Sequence, residues 1–383
     1  MGSSQAISAT ACGRREQFAT RTMFFAIGFA SGAWAPLVPL AKARLGVGDG
    51  VLGLLLLCLG AGSILAMPLA GAVAGRLGYR RVLTAAACVT LLSFPLLTVM
   101  TSAPGLAAVL FVFGAGLGSI DCVINMQAIV VERGSGRPMM SGFHALYSLG
   151  GIAGAGGVSG LLGLGATPPL AAICVSAALV IAFASSWRGL LWRKGEAGGS
   201  ALALPRGAVL LIGVFCFILF LTEGSALDWS GVFLRTQRGA GAAQAGLGYV
   251  AFAATMTTGR LFGDAIVRRT GALRTVIAGS LVAAAGLILA TLGPGVIASV
   301  AGYALVGAGC SNVVPVLYTL LGRQTDMPES QAVPAATVLG YAGILAGPAG
   351  IGLLAGVTSL PIALLAVAAL LVGVATGARA LNI

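Results

Sequence analysis

Twelve long apolar runs follow one another along this chain, separated by short clusters of basic and turn-forming residues. They cover approximately 19–40, 50–74, 82–102, 105–131, 140–164, 168–187, 207–231, 244–267, 274–293, 296–321, 331–355 and 358–378. A helix needs about 20 apolar residues to cross the hydrocarbon core of a bilayer. A run of that length, repeated with few charges, predicts an all-α membrane protein of twelve transmembrane helices. The charge content agrees. Only 8% of residues are charged, against roughly a quarter in a soluble domain, so most of the surface must face lipid. The 59 glycines suit such a bundle, because small residues let helices approach closely. The first run resembles the eleven after it, so it reads as a first membrane helix and not as a cleaved leader. Six cysteines fall inside apolar runs and Cys12 precedes them, a scatter that fits neither a disulfide framework nor a metal site.

An even number of spans puts both ends of the chain on one side. With the ends inside, inner segments hold 17 of the 22 Lys and Arg and outer segments four (Lys42, Arg44, Arg235 and Arg238), while Arg260 lies within a helix. Cytoplasmic loops carry the excess of Lys and Arg, so both termini are expected in the cytoplasm. This topology accounts for the net charge of +12 without nucleic acid as a partner.

The chain divides into a polar segment 1–18, six spans over 19–187, a basic and glycine-rich linker over 188–206, and six spans over 207–383. The halves carry a repeat. Gly114, Ala115 and Gly116 match Gly307, Ala308 and Gly309, 193 positions later. Arg76, Gly78 and Arg81 match Arg269, Gly271 and Arg274, and Gly150, Gly154 and Gly157 match Gly343, Gly347 and Gly350, at the same 193. Internal repeats of this kind mark transporters whose site lies between the halves.

The stretch after span 2, with Gly71, Gly75, Arg76, Gly78, Arg80 and Arg81, resembles the loop signature of the major facilitator superfamily. The stretch after span 8, with Gly263, Asp264, Arg268, Arg269, Gly271 and Arg274, resembles it again. The family usually has Asp where Gly75 and Arg268 stand. The resemblance implies a gate at these loops, formed by Arg76, Gly78, Arg81, Arg269, Gly271 and Arg274. Arg260 and Asp264, spaced i,i+4, would substitute for the missing acid in the second half. Phe29 to Pro36, Met140 to Gly150, Glu223 to Ser230 and Gly259 to Asp264 are similar to a bacterial branch called MosC-like. Its namesake is a membrane protein linked to rhizopine, an inositol amine. That resemblance implies a bacterial inner-membrane monomer of the sugar and polyol symporter kind, with no cofactor.

Ionisable residues inside a membrane are costly and mark function. Asp121 in span 4 lies roughly 16 Å from the inner end at 1.5 Å per residue, near mid-membrane. Asn125 shares its face. Glu223 in span 7 lies roughly 24 Å along its helix. Burial disfavours a charged carboxyl, and a carboxyl that takes up a proton is what proton coupling requires. His144 is the single histidine and titrates near neutral pH when unperturbed. Trp34, Asn312, Tyr318 and Tyr341 add polar and aromatic groups able to line a cavity. For each of these, a structural hydrogen bond between helices is the competing reading.

Together these features predict a secondary transporter that moves a small polar solute (a sugar, polyol or amino-polyol) with protons by alternating access. A proton-driven exporter and a transport-inactive sensor are the alternatives. An intramembrane enzyme is disfavoured by one His, no zinc-ligand cluster and no paired aspartates at matching depth.

Overall fold

The computed structural model describes residues 13–192 and 203–381. Cys12, Arg193, Lys194, most of the polar N-terminal segment and the middle of the linker lie outside the described residues. Helices α1 (Arg14–Leu45), α2 (Asp49–Leu77), α3 (Tyr79–Leu96), α4 (Ala103–Ser135), α5 (Met140–Gly163) and α6 (Pro168–Ser186) precede the linker. Helices α7 (Gly207–Arg238), α8 (Leu247–Thr270), α9 (Ala272–Leu292), α10 (Gly295–Leu321), α11 (Glu329–Val357) and α12 (Leu360–Gly377) follow it. Each of the twelve expected runs meets one of them.

By length and apolarity alone, nine of these helices can cross a membrane, or ten with α11, which bends by 42° after Gly347. The other two, α3 and α8, occupy the expected positions but carry charge: Arg80 and Arg81 in one, Arg260, Asp264, Arg268 and Arg269 in the other. Several helices outrun their apolar stretch, because helical hydrogen bonding does not stop at the edge of the lipid. Helices α4 and α7 end where Gly136 and Gly239 turn left-handed.

The first six helices pack mainly on one another, as do the last six, and the two sets meet along α2 with α11 and α5 with α8. The 193-residue repeat is visible in these crossings. A Cβ on Gly114 of α4 would collide with the Leu59 backbone of α2, and one on Gly307 of α10 with the Phe252 backbone of α8; Leu59 and Phe252 are themselves 193 apart. Gly150 of α5 meets Phe25 of α1 in the same way, and Gly343 of α11 meets Phe217 of α7. At both one-residue helix junctions the chain turns through a glycine, Gly78 at φ 92° and Gly271 at φ 83°, where a side chain would be strained. Arg44 and Arg238, 194 positions apart, play matching parts in the two sets. Arg44 donates to the carbonyls of Leu97 (2.7 Å) and Met100 (2.8 Å), and Arg238 to those of Ala290 (3.3 Å) and Thr291 (2.6 Å). Each satisfies carbonyls that a helix end leaves without partners.

These crossings set a stability prediction. Gly114→Val should lower the thermal midpoint in detergent by the equivalent of about 1–3 kcal/mol or more, the cost of overpacking a dense interior. Gly156→Val, where a Cβ meets nothing within 4 Å, should leave it in place. Equal midpoints for the two variants would contradict a tight α2–α4 crossing.

Candidate functional site

Helix α4 carries Asp121 and Asn125 one turn apart, so the two face the same way. The Asn125 amide donates to the Asp121 carboxylate (3.2 Å) and to its backbone carbonyl (2.8 Å). Tyr341 of α11 donates its hydroxyl to the other carboxylate oxygen at 3.2 Å, which ties the first set of helices to the second. Asp121 is 9% exposed, and no cation pairs with it among the described residues. The Asn125 side-chain oxygen is buried with no partner. Tyr341 stands edge-on to Phe220 of α7, which puts an aromatic pair beside the acid.

A second polar cluster centres on Arg260 of α8, which is 6% exposed. It reaches Glu223 of α7 at 3.4 Å, donates to the Ser148 hydroxyl of α5 at 3.0 Å and to the Ser311 carbonyl of α10 at 3.3 Å. The last contact has a local cause. Pro315 has no N–H to donate to the carbonyl four residues back, so the Ser311 carbonyl is released. Helix α10 breaks there, between Cys310 and Val313. Asn312 bridges the break, donating to the Gly259 carbonyl at 3.1 Å and the Ser311 hydroxyl at 3.0 Å. The expected Arg260–Asp264 pairing does not form. Asp264 instead accepts from the Gly142 amide of α5, at 3.1 and 3.2 Å, because exposed amides at a helix start attract a carboxylate more directly than a guanidinium already held by three oxygens.

Between the clusters lie aromatic groups. His144 of α5 packs against Phe24 of α1, ring centroids 5.2 Å apart, and Tyr318 of α10, 5.8 Å apart. Its Nε2 is buried without a partner. The Tyr318 hydroxyl shares a 2.8 Å hydrogen bond with Thr337 of α11. Tyr147, one turn from His144, lies within electrostatic reach of Asp121, Glu223 and Arg260. The sequence reading left it out, although it stands in a segment that carried the resemblance. Trp34 is buried in α1 with its indole N–H unpartnered, and no described contact joins it to this group.

Both sets also meet at the face that carries the chain ends, here the terminal face. Glu132, at the end of α4, accepts from the Met139 and Met140 amides at 2.7 and 2.8 Å and from the Thr319 hydroxyl of α10 at 2.6 Å. Asp264 holds the Gly142 amide of the same turn. The first turn of α5 is thus capped by one carboxylate from each set. Arg133 donates to the Gly322 carbonyl and pairs with Glu329 of α11 at 3.8 Å, and the Tyr79 hydroxyl donates to Glu329 at 3.1 Å. As contacts between the two sets, Glu132, Arg133 and Glu329 carried no signal in the sequence beyond charge at the ends of apolar runs, and Thr319 carried none.

The loop residues expected to form the gate sit differently. Arg76, Arg269 and Arg274 are exposed and make no described contact across the seam, since a guanidinium at the edge of a bundle is better solvated by water. Arg81 lies over the Trp192 ring, 5.5 Å from its centroid, and Arg80 over Trp187 and Trp192, within the first set. Gly78 and Gly271 serve as the turns described above. Among the described residues no group of three or more His, Cys, Asp or Glu is placed to hold a metal.

The sequence model described as Major Facilitator Superfamily matches residues 22–348. An uncharacterized transporter of that type from Yersinia pestis is 50% identical, over 97% of both chains. Membrane protein MosC of Rhizobium meliloti is 30% identical over 89% of this chain and 84% of its own. In fold, a crystal structure of the fucose:proton symporter of E. coli superposes with a TM-score of 0.77 at 15% identity, covering 96% of this chain and 98% of that one.

Proposed function

The chain belongs to the major facilitator superfamily, an integral-membrane transporter family, and from that premise we propose that it imports a small polar solute with protons by alternating access. The observation that carries this reading is the unequal treatment of the two mid-membrane acids. Glu223 has a cation beside it, whereas Asp121 has only neutral donors. With all three groups ionised, the site is one negative charge in excess. It therefore favours a solute that brings a cation, and the unpartnered oxygen of Asn125 beside Asp121 is a ready acceptor for it. A polyol bearing a protonated amine meets both demands: its ammonium binds Asp121 and Asn125, and its hydroxyls bind the neighbouring hydroxyls and amides.

Glu223 is the proton carrier in this scheme. Neutralising it removes the attraction that holds Arg260 between α7, α10 and α5, and so loosens one of the two mid-membrane ties between the sets. The two halves, 19–187 and 207–383, then rock about the site, and the cap on α5 and the Arg133–Glu329 pair open. The excess of Lys and Arg on the terminal face supports a cytoplasmic position for it, and in this scheme the contacts across that face close the inner side.

The test is a thermal-shift screen of purified protein against inositols, sugars, amino-sugars and lipophilic cations at two pH values, followed by uptake into proteoliposomes. Hits among amino-polyols, with uptake that rises as external pH falls, support the proposal. Hits confined to lipophilic cations, or efflux against the gradient, would replace it with export.

The gate has its own test. Asp264→Ala should free the α5 amides from the second set and populate an inner-open state. Spin labels at Arg14→Cys and Thr325→Cys, on the terminal face of each set, should move apart in that variant. An unchanged distance distribution would show that Asp264 does not hold the seam.

A further inference from the structure

We propose that the terminal face carries a binding site for a small multivalent oxyanion, a phosphate or phosphate ester, and that its occupation holds the two sets of helices together. A cavity of about 470 Å³ lies between the α4–α5 loop on one side and α8, α9 and the end of α10 on the other. That is the size of a small-molecule site. Four arginines line it: Arg133 and Arg137 from the first set, Arg268 and Arg323 from the second. One acid, Glu132, lines it too, but its carboxylate already accepts three hydrogen bonds, from Thr319, Met139 and Met140.

The positive charge there is largely unspent. Arg133 is tied to Glu329 and Gly322, and Arg137 has one long contact, 3.5 Å to Gln17. The guanidiniums of Arg268 and Arg323 make no hydrogen bond or ion pair among the described residues. Topology alone explains basic residues on a cytoplasmic face. It does not require arginines from both sets to border one hollow among the described residues. A guanidinium fork matches the geometry of a phosphate, and an anion of two or more charges can engage arginines from both sides at once. Opening of the seam would separate those arginines. The anion therefore binds the closed arrangement better and shifts the population toward it, to the extent of that difference in affinity. Occupancy slows turnover without entering the transport site.

Phosphate of this kind is presented both by free metabolites and by anionic lipid headgroups, and the test separates them. The full chain is placed in phosphatidylcholine nanodiscs and titrated with inorganic pyrophosphate against sodium chloride of equal ionic strength. Pyrophosphate should raise the thermal midpoint and narrow the Arg14→Cys/Thr325→Cys distance distribution, where chloride does neither. The double variant Arg268→Gln/Arg323→Gln should need at least tenfold more pyrophosphate for the same shift. If phosphatidylglycerol discs give the shift and abolish the pyrophosphate response, and both effects need the two arginines, the occupant is a lipid headgroup. If pyrophosphate acts no differently from chloride and phosphatidylglycerol has no arginine-dependent effect, the site does not exist. An undiminished response in the double variant overturns it equally.

Discussion

Asp121→Asn should weaken solute binding by about 10- to 100-fold, the value of a hydrogen bond to a charged group, roughly 1.5–3 kcal/mol. The substitution keeps the shape, removes the charge, and turns one acceptor oxygen into an NH2 that can donate to the Tyr341 hydroxyl while the remaining oxygen still accepts from Asn125. Because only neutral donors stand beside Asp121 among the described residues, removing the charge breaks no ion pair. The thermal midpoint without ligand should therefore stay within a few degrees of the parent. Binding is read by titration of the best solute from the screen, and stability by thermal unfolding in the same detergent. Unchanged affinity would remove Asp121 from the site. A large fall in midpoint would make it a structural residue instead.

Arg260→Gln should be the most destabilising polar substitution in the bundle. It leaves the half-buried Glu223 without its cation, and breaking one side of a buried pair costs up to about 3–5 kcal/mol. Glu223→Gln is milder, since Arg260 keeps the Ser148 hydroxyl and the Ser311 carbonyl. The double variant Glu223→Gln/Arg260→Gln should recover part of the loss, and the thermodynamic cycle gives the coupling between the two. Transport separates function from stability. Glu223→Gln should still exchange labelled for unlabelled solute across proteoliposomes but fail to concentrate it on a pH gradient. Normal accumulation by that variant would show that the proton travels elsewhere.

These two predictions draw on residues of different legibility. Asp121 and Glu223 stood out as carboxyls inside apolar runs. Their difference in partners did not, because Arg260 lies 37 residues from Glu223 and one turn from Asp264. Reading along one helix favoured the near neighbour. Helix rotation decided otherwise, turning Arg260 toward α7 and α10 while Asp264 met the start of α5. The contacts between the two sets at the terminal face escape the sequence for a similar reason. The loop resemblance pointed to Arg76 and Arg269, whereas the described contacts across the seam are made by Glu132, Arg133 and Asp264, whose partners depend on which helix end faces which.

By itself the sequence determined that this chain spans a membrane many times, that its halves repeat at an offset of 193, and which buried carboxyls are candidates for chemistry. Each of these follows from one-dimensional constraints: the length needed to cross lipid, the small residues needed where backbones touch, and the cost of charge away from water. Only the tertiary structure decided which acid has a cation and which has none, that Pro315 releases a carbonyl for Arg260, and that carboxylates from both sets cap α5. A buried polar group is satisfied by whatever neighbour helix packing delivers to it, and that neighbour has no fixed separation along the chain.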